Sequence, residues 1–453
     1  MSASGPKVRL SAAPKAKDDA GGWRRSLAAY GDPRVLLILP LGFASGLPLL
    51  LTFSTLSAWL ATAGVTRSAI GAFALVGTPY ALKFLWSPLI DRLPPPIPIG
   101  RRRGWGVAIQ LALIAATLGL GSCDPKNHLA VLAALALLVS FLSASQDIVI
   151  DAYRVEILGA DQQGPGAAMI QTGYRFAMLV SGAGALLIAA RAGWFAAYAA
   201  MAVLLAAAML VFLFGPEPVP PQERAPRSNA AGWQAVRQWF ATAVAGPFED
   251  FMRRPRWLAI LVFIVGYKLG EAMAGVMAMP LYVSLGFSLD QIAAVSKLFG
   301  FAATVMGALA GGVVTARLGV MRALLLCGLL QSAGNLFYVL QVVGGHRLDY
   351  LALCVAAENL TGAMAGAALV AYLSGLCSPA FTATQYALLS SLSAVGRTLM
   401  SSSGGLLADK LGWVPFFLLT TVATVPALAL LIWIARRDSA QSRPVLAAPV
   451  GPN

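Results

Sequence analysis

The sequence predicts an all-α integral membrane protein of twelve spans, set as two six-helix halves with both termini in the cytoplasm. Three observations carry that expectation. Hydrophobic residues make up 58% of the 453 positions and charged residues only 11%, where a soluble domain holds about 25% charged. Apolar runs long enough to cross a hydrocarbon core of about 30 Å recur from Val35 almost to the C-terminus. The basic residues also alternate from loop to loop. Of the 33 Lys and Arg, five lie in outer loops (Arg67, Lys126, Arg191, Arg347, Lys410), five lie inside spans, and the other 23 fall in segments that face the cytoplasm if the N-terminus does.

Residues 1–34 read as a cytoplasmic tail, and the first apolar run is too long for a signal-peptide core. Spans follow at 35–62, 68–90, 104–122, 129–151, 165–190 and 193–214, a six-helix bundle over 35–214. In span 1, Gly42, Gly46 and Pro48 thin the helix for close packing. The stretch 215–256 is a cytoplasmic linker. It opens with the proline-rich "GPEPVPPQERAP", which cannot be helical, and continues with Trp233, Val236, Phe240 and Val244 at the spacing of an amphipathic surface helix. The second bundle, 257–435, has spans at 257–283, 290–315, 321–343, 350–374, 380–407 and 412–435, and 436–453 is a second cytoplasmic tail.

Charges inside the spans follow a three-helix rhythm. Lys83, Asp147, Asp151 and Arg175 fall in spans 2, 4 and 5, and Lys268, Glu271, Lys297, Glu358 and Arg397 in spans 7, 8, 10 and 11. Spans 3, 6, 9 and 12 carry none, so they read as the lipid-facing layer, while the charged helices line a polar cavity. That division, repeated in two halves, matches the major facilitator fold.

The segment after span 2, "SPLIDRLPPPIPIGRRRGW", resembles the signature of that superfamily, with Ser87 at a glycine position and a proline-rich insertion. It places Asp91, Arg92 and Arg101 at a cytoplasmic gate, together with Asp151. A weaker echo follows span 8, with Gly311, Gly312, Arg317 and Arg322. Asp147 and Asp151, four residues apart, share a helix face and can exchange a proton; Asp151 can instead pair with Arg92 or another base at the gate. Lys268 and Glu271, three apart, can pair within one helix, and Glu358 and Arg397 can pair with each other or with Lys297. The proton-coupling candidates are Asp147, Glu271, Glu358 and Asp151. The substrate-binding candidates are Gln146, Tyr174, Arg175, Tyr267, Lys268, Lys297, Asn359 and Arg397. Trp59 and Trp86, near helix ends, read as interfacial anchors.

The basic excess sits in short loops, which excludes a nucleic-acid protein, and the continuous spans exclude a soluble enzyme. Nothing points to a cofactor, a metal site or a catalytic constellation, and the four cysteines have no paired spacing.

Together the strings "LGFASGLPL", "ALKFLWSPLIDR", "GRRRGW", "SASQDIVIDAYR", "GYRFAMLVSG", "YKLGEAMAG", "ENLTGAMAG" and "FTATQYALLSSLSAVGR" resemble the AmpG family of muropeptide permeases. Glu271 stands where that family usually has Asp. The resemblance implies a monomeric bacterial inner-membrane permease that imports anhydromuropeptides with protons for peptidoglycan recycling, and in some bacteria contributes to β-lactamase induction. Its expected partners are the small-molecule substrate, protons and the lipid bilayer. The competing expectations are an acetyl-coenzyme A or other organic-anion carrier of the same fold, and a non-transporting membrane assembly factor.

Overall fold

The structure, a computed structural model, describes residues 24, 26–219, 245–402 and 404–441; side chains at a few positions inside these ranges, Lys297 and Arg397 among them, are outside the description. The expected amphipathic helix at Trp233–Val244 therefore lies outside the described residues. All regular structure among the described residues is helical.

Among the described residues, ten helices are long and apolar enough to cross a membrane, from Pro33–Thr62 to Trp413–Arg437. The other two expected spans differ from these for visible reasons. Span 2 is a chain of short pieces: Arg67–Ala72, Thr78–Leu82 and Ser87–Arg92, joined by 3₁₀ turns at Phe73–Gly77 and Lys83–Leu85. Pro79 and Pro88 each open a piece, because a proline without an N–H interrupts a helix interior but fits its first turn. Span 11 is helical over Thr382–Ser402 and Gly404–Leu411, but rich in Ser and Thr. Helix 1 begins at Pro33, capped by Asp32 Oδ1 accepting from the Arg34 N–H at 2.8 Å.

Glycines set the helix crossings. Span 1 meets span 5 where Gly46 lies against the Tyr174 backbone; a Cβ there would stand 2.6 Å from its carbonyl oxygen. Gly307 and Gly311 do the same for span 8 against span 10. Gly42–Gly46 and Gly307–Gly311 are both small-residue pairs four apart, which let membrane helices approach backbone to backbone.

One apolar core fills the N-terminal half, while the C-terminal half holds two. The halves meet at the end of the bundle that carries the basic connections, called here the basic end. Gly164 of span 5 crosses Gly312 and Thr315 of span 8 there, and the Tyr30 hydroxyl donates to Leu309 O at 2.7 Å. Contact between spans 5 and 8 continues to the Phe176–Phe301 ring pair, with centroids 5.2 Å apart. Beyond a π turn at Val180–Gly184, span 5 packs on span 6 of its own half.

Two expectations are corrected. Trp59 is buried against Trp194 (5.6 Å) and Tyr198, and the Trp86 indole donates to Ser145 Oγ at 3.0 Å, so both pack inward and neither is an interfacial anchor. Span 9 is not simply a lipid-facing helix, since it buries Gln331, Ser332 and Asn335.

A side chain at Gly173, whose Cα faces the Leu39 carbonyl and Phe43 N, has no room. Gly173→Val should cost about 1–3 kcal/mol and lower the melting temperature of the detergent-solubilised protein by several degrees; an unchanged melting temperature would contradict this packing.

Candidate functional site

The helix Leu129–Ile157 carries Asp147 and Asp151 on one face, and each finds a different partner. Ser45 Oγ of span 1 donates to Asp147 Oδ1 at 2.6 Å. Asp151 lies 3.8 Å from Lys83 Nζ and 3.8 Å from an Arg154 guanidinium nitrogen. The expected alternative pairing of Asp151 with a gate base is therefore made by Lys83 and Arg154 rather than Arg92. The buried Tyr80 hydroxyl lies within electrostatic reach of Asp147 and Tyr174. Gln146 is fully buried, with both amide atoms lacking a hydrogen-bond partner.

In the C-terminal half, helix 7 is interrupted at Lys268, between Trp257–Tyr267 and Leu269–Ser284. The Lys268 ammonium pairs with Glu271, donates to Gln331 Oε1 at 3.1 Å, and donates to the Gly362 carbonyl at 2.9 Å. All three of its donor hydrogens are thus used, which is what an ammonium at this depth requires. Asn359 donates to Glu358 Oε2 and accepts from Thr304 Oγ1, both at 2.9 Å. Glu358 is within electrostatic reach of Glu271, Lys268 and Arg175, so one field joins spans 5, 7 and 10. Tyr174 is half-buried and Arg175 exposed.

Tyr267 is a correction. It is wholly buried in the C-terminal core, donating to Leu324 O at 2.9 Å and packed on Phe263. It precedes Lys268 directly in sequence, yet its side chain points away from that of its neighbour. The Lys297 and Arg397 side chains, and any pairing of Arg397 with Glu358, lie outside the description.

The basic end is held by a denser network. Arg102, with no exposed side-chain surface, bonds Asp91 Oδ1 at 2.8 Å and Glu156 Oε1 at 2.5 Å. Arg101 adds a 2.9 Å bond to Glu156. Glu217, just past span 6, accepts from the Arg102 and Arg103 N–H groups at 2.8 and 3.2 Å, and Arg103 donates to the Phe212 and Leu213 carbonyls. Asp91 also reaches the other half. It accepts from the Ala383 and Thr384 N–H groups at 3.3 and 2.9 Å and from Thr384 Oγ1 at 2.8 Å. A carboxylate thereby satisfies orphan donors at the first turn of helix 11, where the helix dipole favours negative charge. Arg92 stacks over Phe381, and the buried Arg154 donates to Ser374 Oγ at 2.9 Å and lies over Tyr386. Spans 2 and 4 of one half are thus joined to spans 10 and 11 of the other.

The sequence reading missed Arg102, Glu156, Glu217, Arg154, Ser45 and Gln331. Arg154 lies beyond the expected end of span 4 at 151, whereas the helix runs to Ile157. The spacing of Asp151, Arg154 and Glu156 on one helix was the available signal.

The profile described as Major Facilitator Superfamily matches residues 38–284 and 269–452. The anhydromuropeptide permease of Escherichia coli K12 is 42% identical over 408 residues, covering 90% of this chain and 80% of that protein. The chain belongs to the AmpG family of the major facilitator superfamily. A putative AmpG 4 transporter of Rickettsia felis is 32% identical, over 90% of this chain and 98% of its own. Among solved structures, the E. coli fucose:proton symporter superposes with a TM-score of 0.67 at 10% identity, covering 89% of this chain and 99% of its own. The human organic anion transporter MFSD10 gives 0.62 at 20% identity, over 90% and 99%. These two show the fold. The protein is a multi-pass membrane permease and not an enzyme.

Asp91→Ala would strip helix 11 of its cap and leave Arg102 with a single carboxylate partner in its own half. Breaking a buried pair costs about 3–5 kcal/mol, so the basic end should open more often. Cys377, half-buried near Arg154 and Asp91, reports on this. Its labelling by maleimide should be at least about tenfold faster in the variant, and an unchanged rate would contradict the lock.

Proposed function

We propose that this permease imports anhydromuropeptides, N-acetylglucosaminyl-1,6-anhydro-N-acetylmuramic acid and its peptide-bearing forms, from periplasm to cytoplasm by proton symport in a bacterial inner membrane. Peptidoglycan recycling, and in some bacteria β-lactamase induction, are the corresponding roles. The observation that carries the substrate is the 42% identity, over 90% of the chain, to an anhydromuropeptide permease. The proposed orientation puts the basic end in the cytoplasm, in keeping with the loop charges. Closure of that end then corresponds to an outward-facing state.

The site chemistry supports coupling. Glu271 is the counter-ion that occupies Lys268. Protonating Glu271 cancels the ion pair and frees an ammonium for a carboxylate of the ligand, alongside Arg175. Glu358 shares the same field and can exchange the proton, while Asp147 and Asp151 form a second carboxylate pair on the opposite wall. Asn359 and Tyr174 supply neutral hydrogen-bonding groups for a sugar, and Gln146, fully buried here, joins them only when the helices move apart. In this reading Lys297 and Arg397 add positive charge from spans 8 and 11, and the six-helix halves rock about the midplane site as a monomer.

Uptake of labelled anhydromuropeptide by right-side-out vesicles should require an inward proton gradient. Glu271→Gln should reduce accumulation at least about tenfold, a barrier change of ~1.4 kcal/mol or more. Accumulation that survives collapse of the gradient, or that is unaffected in Glu271→Gln, would contradict the coupling.

A further inference from the structure

The C-terminal half is split across its middle by a polar layer. One apolar core, with Phe263, Tyr267, Cys327 and Leu428, lies on the basic side; the other, with Met273, Tyr338, Phe416 and Phe417, lies on the far side. Three adjacent helices are interrupted at that boundary. Span 7 breaks at Lys268, span 9 at Asn335 between Val320–Gly334 and Leu336–Gly344, and span 12 at Thr424 between Trp413–Ala423 and Val425–Gln441. At each break the N–H turns away from the carbonyl four residues back: Lys268 to Gly266 O, Asn335 to Ser332 O, and Thr424 to Val422 O. Inside a membrane, such freed backbone groups must find other partners.

The side chains at this level are also left wanting. Among the described residues, Gln331 Nε2, Ser332 Oγ, Asn335 Nδ2 and Thr424 Oγ1 have no hydrogen-bond partner, yet their residues are 3%, 7%, 2% and 0% exposed. Three of them, Gln331, Asn335 and Thr424, converge on span 7. Gln331 holds Lys268 through its oxygen. A Cβ built on Gly270 would stand 2.8 Å from Thr424 Oγ1 and 3.3 Å from Asn335 Nδ2, and would meet the Thr420 carbonyl. The glycine thus lets span 12 approach closely and brings two unpartnered donors and a carbonyl acceptor together against span 7. An orphaned buried polar group costs about 1–3 kcal/mol, a cost that a bound ligand would relieve at each of these positions.

We propose that this layer is an internal-water site, running behind Lys268 between spans 7, 9 and 12. Water there accepts from Asn335 and Thr424 and donates to the Thr420 carbonyl, within the two to four bonds that buried waters typically make. None of the four orphaned side chains is a carboxylate, and the Lys268 ammonium already supplies positive charge, so a neutral ligand fits and a metal cation does not. The water replaces the interrupted ladder bonds and lets the three helices bend at one level, directly behind the ion pair proposed to switch. The site itself stands on the described geometry; only its service to transport rests on the proposed proton coupling.

Hydrogen exchange of the full-length protein in lipid nanodiscs tests this without substrate. Amides at and just after 268, 335 and 424 should exchange about tenfold faster than those two turns away on the same helices. Asn335→Leu/Thr424→Val should slow them towards their neighbours, and Thr424→Val alone, nearly isosteric, should do so in part if the double variant does not fold. Uniform protection across the three breaks in the unmodified protein overturns the proposal. So does fast exchange that persists unchanged in a folded variant, since that assigns the breaks to bare backbone. Fast exchange with a failed uptake assay would count against the proton coupling and leave the water site standing.

Discussion

A full charge in the middle of a membrane bundle must be partnered, because water is not at hand to solvate it and lipid cannot. Much of the arrangement follows from that constraint. Lys268 is held by a carboxylate, an amide and a carbonyl drawn from spans 7, 9 and 10. Asp147 is held by a hydroxyl from span 1, and Asp151 sits between two cations from spans 2 and 4. Each partnership ties one helix to another, so the charges that make the cavity useful also set which helices surround it. A change of protonation at any one of them leaves a partner exposed to the same penalty. Such a change is therefore transmitted as a rearrangement.

The basic end applies the rule to closure. Asp91 is shared between Arg102 in its own half and the first turn of helix 11 in the other. The link is reversible by construction, since separating the halves leaves the Asp91–Arg102 pair intact and exposes only N–H groups and a hydroxyl that water can satisfy. Arg154 is the complementary case: its guanidinium reaches Ser374 and Tyr386 while its charge is answered by Asp151 on the cavity side. Cavity and closed end are thus adjacent links of one chain of polar contacts along span 4.

What the sequence could disclose was what depends on short separations. The spans follow from composition, the Lys268–Glu271 pair from a spacing of three, and the Asp147–Asp151 face from a spacing of four. The partners that complete the site come from far away in the chain: Asp91 and Thr384 are 293 residues apart, Ser45 and Asp147 102. No local pattern encodes them. Tyr267 was misplaced because one residue along a helix turns the side chain by about 100°, into the core and away from the cavity of its neighbour. Arg154 was misplaced because the end of a helix is the least legible feature of a sequence. Gln331 carries no local signal that sets it apart from other amides in the spans, although a buried amide answers an ammonium as directly as a carboxylate does.

The central claim is that a carboxylate in this cavity gains and loses a proton with each substrate molecule moved. The most direct measurement is the external pH of a weakly buffered suspension of proteoliposomes when anhydromuropeptide is added with no gradient imposed. Coupled entry predicts alkalinisation outside that tracks the substrate added and vanishes in the Glu271→Gln protein. Substrate entry with no pH change would contradict it.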